Sequence, residues 1–236
     1  MTGVQTCALP IYVMRKLTVA NLDGIKNYWF THGTVCGLKD ILIARTGYTG
    51  EDGFEIYVPS DKATSEEVWT QVMEAGCESG IIPCGLGARN TLRLEAKMAL
   101  YGHEISDAIN VWEAGLDRYC KMDKGDFIGR AALERAKAAG LTRTLVGLEM
   151  IERGIARDEY CCCDEAGKVI GVITSGSPSP TLGKNIALAY IPPAMAAMGT
   201  PVYVEIRGNK YKAQVVATPF YKRPKKLAAP QVVKTA

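Results

Sequence analysis

No apolar run in this chain of 236 residues is long enough to span a bilayer. Charge of one sign is nowhere concentrated: 28 Lys and Arg against 25 Asp and Glu leave a formal net charge of +3, spread along the sequence. That argues against nonspecific nucleic-acid binding and leaves a small anionic ligand open. Histidine is scarce. His32 and His103 stand far apart with no carboxylate or cysteine at metal-ligand spacing, so both read as surface or hydrogen-bonded core residues, and no metal is expected. There is no CxxC among the eight cysteines. Cys161, Cys162 and Cys163 are consecutive, and Cys36, Cys77, Cys84 and Cys120 are scattered, a pattern of reduced thiols rather than a disulfide framework. GxGxxG, GxSxG and HExxH are all missing, which removes the dinucleotide fingerprint and any obvious enzyme nucleophile. The opening "MTGVQTCALPIY" lacks the basic and apolar regions of a signal peptide. It is similar to a translated adapter oligonucleotide, so residues 1–12 are set apart from the fold. The closing "PKKLAAPQVVKTA", residues 224–236, has no amphipathic period and is expected to be disordered.

What the sequence does have begins with "RTGYTGEDGFEI", Arg45 to Ile56, three glycines and three acids in one short stretch. It lies between the β-prone runs "DILIAR" and "FEIYVP", which predicts a hairpin with a long, shaped loop. Glu51 and Asp52 read as solvated loop acids. Glu55 alternates with Phe54 and Ile56, so it shares the opposite strand face with Tyr57, and a carboxylate in an apolar strand needs a partner. Two partners fit: an arginine in a structural ion pair, or a planar heterocycle offering two adjacent N–H groups, such as the amino-pyrimidinone edge of a pterin, with Tyr48 as a flat wall.

Helices are predicted over Ser60–Gly76, capped at Ser60 or Ser65, over Ala88–Leu100, and through "IGRAALERAKAAG" to Gly140. "CGLGARN" gives a tight entry into the second of these and places Arg89 in its first turn, suited to an anionic ligand group. Beyond Gly140–Thr142 the texture changes to short β-rich segments, and a domain boundary is expected there.

Taken in order, "ARTGYTGEDGFEIYVP", "PCGLGARNTLRLEA", "LYGHEI", "KGDFIGRAAL", "LVGLEM", "VITSGSPSPTLGKNIALAYIP", "VEIRG" and "PFYKR" resemble the T-protein of the glycine cleavage system, the tetrahydrofolate-dependent aminomethyltransferases, from about Val13 to Arg223. The resemblance implies an α+β fold: a folate-binding aminomethyltransferase domain with ferredoxin-like units over residues 13–140, followed by a C-terminal β-barrel domain over residues 141–223. It implies transfer of the one-carbon unit of an aminomethyl group from lipoylated H-protein to tetrahydrofolate, with release of ammonia. The family's pterin-contacting glutamate falls on Glu55, its neighbouring tyrosine on Tyr48, its ligand-contacting arginine on Arg89, and "YKR" points to Arg223. The family's catalytic aspartate would precede Val13, so no catalytic residue is assigned here. The resemblance further implies a bacterial cytoplasmic or eukaryotic mitochondrial location.

The sequence departs from the family pattern at Asn90, where aspartate is usual, near Lys97, where glycine is usual, and near Trp112, where proline is usual. "YCCCDEAG" also replaces a more apolar strand entry. Three other readings share parts of the pattern: a folate-dependent demethylase or the folate domain of a dimethylglycine or sarcosine dehydrogenase, a non-catalytic folate-binding relative, and a purely structural β-domain. "KGDFIGR" stands where the non-catalytic relatives have "KGCYxGQE", which counts against that one.

Overall fold

The structure is a computed structural model that describes residues 9–223. By internal contacts the chain divides into two compact units, Met1–Arg93 and Leu94–Ala236. The expected tail at residues 224–236 lies outside the described residues, as do residues 1–8.

In the first unit, α1 (Leu9–Leu17) is followed by an antiparallel sheet of β1 (Phe30–Val35), β2 (Leu38–Ala44) and β3 (Glu55–Tyr57), and then α2 (Lys62–Gly76). α3 (Leu86–Glu95) runs across the division between the units. Val35, Ile41 and Ile43 line one sheet face and bury against Met14, Leu22 and Ile25, with Ile11, Leu17, Phe54 and Ile56 packed around them. Ile11, Met14 and Leu17 recur at three-residue spacing on α1, which gives that helix its apolar stripe. Residues 9–12 of the segment set apart as adapter-like form the first turn of α1, and Ile11, partly buried, packs against the core.

The hairpin predicted around the glycine-rich stretch is β2–β3, with Ala44 opposite Glu55 and Leu42 opposite Tyr57. α2 is capped by Asp61, whose carboxylate accepts from the Thr64 N–H, and not by Ser60 or Ser65. α3 stops at Glu95, short of the predicted Leu100. The cause is local: Lys97 sits at φ +55°, the left-handed region that ends helices and favours glycine. The family's usual glycine at this place has the same explanation.

The second unit contains α4 (Arg130–Ala139) and a closed barrel of six strands: β4 (Thr144–Met150), β5 (Cys161–Cys163), β6 (Val169–Ser179), β7 (Lys184–Ile191), β8 (Pro201–Ile206) and β9 (Asn209–Val216). The order around the barrel is β4-β7-β6-β5-β8-β9, with β9 closing on β4. Leu148, Ile173, Ala187, Ile191, Val202, Val204 and Ala213 fill it at 1% exposure or less. The unusual "CCC" is a working barrel strand. Cys162 and Cys163 are fully buried, and burial pushes the Cys162 thiol up to about 12, so it behaves as a small hydrophobe.

The compact units divide at Arg93/Leu94, before the texture change at Gly140–Thr142, and several residues between those two points have partners in the barrel. Leu94 clusters with Leu145, Ile186, Leu188 and Tyr190. Three buried glutamates add to this. Glu95 accepts from Ser179 and Thr181, Glu104 from Thr174, and Glu113 from Arg143 at 2.8 Å. Trp112, near which proline is usual in the family pattern, donates its backbone N–H to the Asn110 side chain and its indole N–H to the Leu133 carbonyl of α4.

Glu113 gives a pH prediction. Burial raises its pKa, but the Arg143 hydrogen bond, the Asn110 N–H and the Arg143 charge outweigh that, and the net shift is downward. A carboxylate depressed on folding adds stability that is present above its unfolded range and lost as pH falls through its folded value. Glu113→Gln is therefore expected to cost about 1–2 kcal/mol at pH 7, the scale of a charge-assisted bond, with the difference from the parent shrinking below about pH 4. Urea midpoints of the two proteins from pH 3 to 7 check this. A difference independent of pH would rule the pair out as its source.

Candidate functional site

The loop between β2 and β3 is organised by its arginine. Arg45 Nε and Nη2 donate to the two oxygens of Asp52 at 3.0 and 2.8 Å, and Nη1 donates to the Ile25 carbonyl at 3.0 Å. This is the paired fork geometry that suits guanidinium and carboxylate. Asp52 is thus no solvated loop acid: its side chain is 8% exposed and that of Arg45 16%. The hydrogen bond to Asp52 holds the Arg45 pKa above its ordinary range. The Phe54 ring lies 5.7 Å from the guanidinium. Of the glycines, Gly50 takes φ +77°, whereas a side chain at Gly47 or Gly53 would meet nothing within 4 Å. One glycine serves the turn, and the other two leave the loop surface open.

With Arg45 committed to Asp52, the arginine ion pair weighed for Glu55 does not form with it. The Glu55 carboxylate is hydrogen-bonded by the Thr46 hydroxyl across the base of the loop. Glu55 is also exposed, not set among apolar side chains: β3 is a three-residue edge strand whose outward face carries Glu55 and Tyr57, while Ile56 and Phe54 turn to the core. A carboxylate in this position keeps acceptor capacity for a ligand.

Arg89 lies in the first turn of α3, as the sequence predicts, and its guanidinium sits 4.2 Å from the centre of the Tyr48 ring. Residues read separately in the sequence thus meet as a cation–π pair. Asn90 holds Arg93 at 2.9 and 2.7 Å through its side-chain oxygen, the role an aspartate would fill with a full charge. Arg223 lies in the second unit, in the segment that follows β9, and is half-buried. The Arg45–Asp52 fork is the feature that sequence reasoning missed. Its signal was present as an arginine and an acid flanking a glycine loop, but spacing alone could not decide which acid it would take.

His32 pairs with Asp40 at 2.9 Å on the exposed sheet face, and His103 contacts the Thr174 carbonyl at 2.9 Å and Asp158 at 3.1 Å. Among the described residues no group of three or more His, Cys, Asp or Glu could hold a metal ion, and no helix is long and apolar enough to cross a membrane.

An α+β unit bearing this hairpin site and a second unit closed as a six-stranded barrel define a two-part architecture that known proteins share. The family profile described as the GCVT N-terminal domain matches residues 11–124, and the glycine cleavage T-protein C-terminal barrel domain matches residues 143–222. The chain belongs to the glycine cleavage T-protein family. An aminomethyltransferase of Acidobacterium capsulatum is 64% identical over 216 residues, which is 91% of this chain and 57% of that protein. One from Koribacter versatilis is 64% identical over 213 residues, 90% of this chain and 56% of that protein. The crystal structure of glycine cleavage system aminomethyltransferase T from Bartonella henselae superposes with a TM-score of 0.77 at 30% identity, covering 92% of this chain and 57% of the other. The chain spans little more than half the length of the curated relatives it matches.

Proposed function

We propose that this chain supplies the tetrahydrofolate-reading part of an aminomethyltransferase of the glycine cleavage system, which moves the one-carbon unit of an aminomethyl group from the lipoyl arm of H-protein to tetrahydrofolate and releases ammonia. The observation that carries the reading is the Thr46-anchored carboxylate of Glu55 on an outward strand face, in a loop whose Arg45 and Asp52 are already matched to each other in a fork. The donor set suits a pterin edge. Glu55 accepts two adjacent N–H groups, and an exposed carboxylate pinned by one hydroxyl has the lone pairs to do so. The ring of Tyr48 gives the flat wall, stiffened by Arg89 at 4.2 Å. Arg223 is proposed as a tetrahydrofolate contact of the second unit. Tetrahydrofolate, when bound, supplies the N5 acceptor of the one-carbon unit.

The work of these residues is positioning: holding the acceptor in one orientation converts an encounter between two molecules into an oriented reaction. No catalytic residue is assigned on this chain, and lipoylated H-protein is the proposed partner. The relatives are bacterial, and a cytoplasmic location is proposed accordingly.

Titration calorimetry with tetrahydrofolate tests the reading. Glu55→Ala is expected to lose about 1.5–3 kcal/mol of affinity, the scale of a charge-assisted bond. Glu55→Gln should be nearly as poor, because an amide cannot accept two N–H groups with both of its heteroatoms. Arg89→Lys should also weaken binding, since lysine lacks the planar face that stacks on Tyr48. No binding by the parent chain, or equal affinity across these variants, overturns the assignment. Product analysis with aminomethylated H-protein separates it from a folate-dependent demethylase, which would release no ammonia.

A further inference from the structure

We infer that Glu95 is the positioning residue for Arg223, an inference that rests on the proposed role of Arg223 toward tetrahydrofolate. Glu95 ends α3 and is 1% exposed. A carboxylate this deeply buried is costly unless each oxygen is satisfied. Here each is: one oxygen accepts from the Ser179 hydroxyl at 2.5 Å and the Thr181 N–H at 3.1 Å, the other from the Thr181 hydroxyl at 2.7 Å. These donors come from the end of β6 and the turn that joins it to β7, so the carboxylate fixes Glu95 to the barrel itself. The Glu95 backbone carbonyl, in turn, accepts the N–H of Tyr221 at 2.9 Å.

That last bond matters because of where it falls in the chain. After β9 the backbone has no further strand or helix among the described residues. It doubles back over β4, where Thr218 and Phe220 occupy the space that a side chain at Gly147 would need, at 2.3 and 3.0 Å from its Cβ position. Phe220 then joins the cluster of Leu94, Leu145, Ile186, Leu188 and Tyr190. Phe220 is thus held by packing, Tyr221 by Glu95, and Arg223 follows two residues later. Glu95 joins three things: the end of α3, the β6–β7 turn and the segment that carries Arg223. A buried acid would be an expensive way to fill space, whereas a four-bond node sets the backbone two residues before a ligand-binding side chain.

The test uses the full chain with Glu95→Ala, Glu95→Gln, Ser179→Ala, Arg223→Ala and the Glu95→Ala/Arg223→Ala double variant, with tetrahydrofolate as the titrant. Arg223→Ala is expected to raise Kd by about tenfold, the value of one charge-assisted bond. Glu95→Ala should raise it by a similar factor, and the double variant should be no weaker than Arg223→Ala alone, since the two share one route. Glu95→Gln should restore most of the affinity, because its oxygen still accepts from Ser179 and the Thr181 N–H while the Thr181 hydroxyl can turn to accept from its amide. Hydrogen exchange at the Tyr221 amide should rise at least tenfold in Glu95→Ala. Should that variant fail to fold, Ser179→Ala is expected to show the same exchange and affinity changes at smaller size. Unchanged Tyr221 exchange, or affinity losses from Glu95 and Arg223 that simply add, would sink the inference. Unchanged Kd in Arg223→Ala would remove the ligand role of Arg223, and the inference with it, while leaving the Glu55 and Arg89 tests of the first unit to stand or fall separately.

Discussion

Asp52→Ala is expected to destabilise the first unit by about 3 kcal/mol, within the range for removing one member of a buried ion pair. The cost comes from what is left behind. Arg45 has a side chain only 16% exposed, and without Asp52 two of its three described hydrogen bonds disappear while the bond to the Ile25 carbonyl remains. Arg45 cannot escape by losing its proton, because guanidinium stays charged at any ordinary pH. Its backbone is tied to the sheet as well: Arg45 N–H donates to the Trp29 carbonyl at 2.9 Å, and Tyr28 N–H donates to the Arg45 carbonyl at 3.0 Å. The strain should therefore spread into β1 and β2 rather than stay in the loop. Native-state hydrogen exchange of the β1 and β2 amides measures it. Asp52→Asn should be nearly as damaging, and Arg45→Met/Asp52→Leu should recover most of the loss, since removing both charges ends the desolvation cost. If Asp52→Ala leaves exchange in β1 and β2 unchanged, the fork is not what holds the loop. Should it also abolish the response of tetrahydrofolate affinity to Glu55→Ala, the fork is what presents Glu55.

Gly176→Ala is expected to cost the barrel about 3 kcal/mol or more, at the upper end of overpacking. Gly176 lies in β6 opposite Ala187 of β7. A Cβ at this position would come 1.8 Å from the Ala156 carbonyl oxygen and 2.8 Å from its carbon. Both are backbone atoms, so no side chain can swing away to make room, and the segment containing buried Ala156 would have to lift off the strand. For a unit of this size such a loss lowers the melting temperature by roughly 6–12 °C. Gly47→Ala is the control, because a side chain there meets nothing within 4 Å. It should change stability by less than about 0.5 kcal/mol. Equal melting of the two variants would show that the close approach of residues 156 and 176 does not constrain the barrel.

The sequence by itself determined a good deal about this protein. Alternation in "DILIAR" and "FEIYVP" set the hairpin, because period-two patterning leaves a strand with one face to bury. The β-rich texture after Gly140 announced the barrel strands, and the ordered motifs placed the chain in the glycine cleavage T-protein family. Arg89 in the first turn of its helix also followed from local signals.

Tertiary structure alone decided the rest. Which acid Arg45 would take depended on how the loop folds back on itself, and Asp52 rather than Glu55 meets the guanidinium. Alternation puts Glu55 and Tyr57 on one face of β3, but that this face stays exposed instead of being set among apolar side chains depends on what the rest of the fold packs against it. The division between compact units falls at Arg93/Leu94, where Glu95 and Glu104 find partners on β6 and the turn after it, far along the chain, and Glu113 pairs with Arg143 just before β4. Hydrophobic periodicity reports which residues are buried against something. It does not report what that something is, and a buried charge is intelligible only once its partner, distant in sequence, is in place.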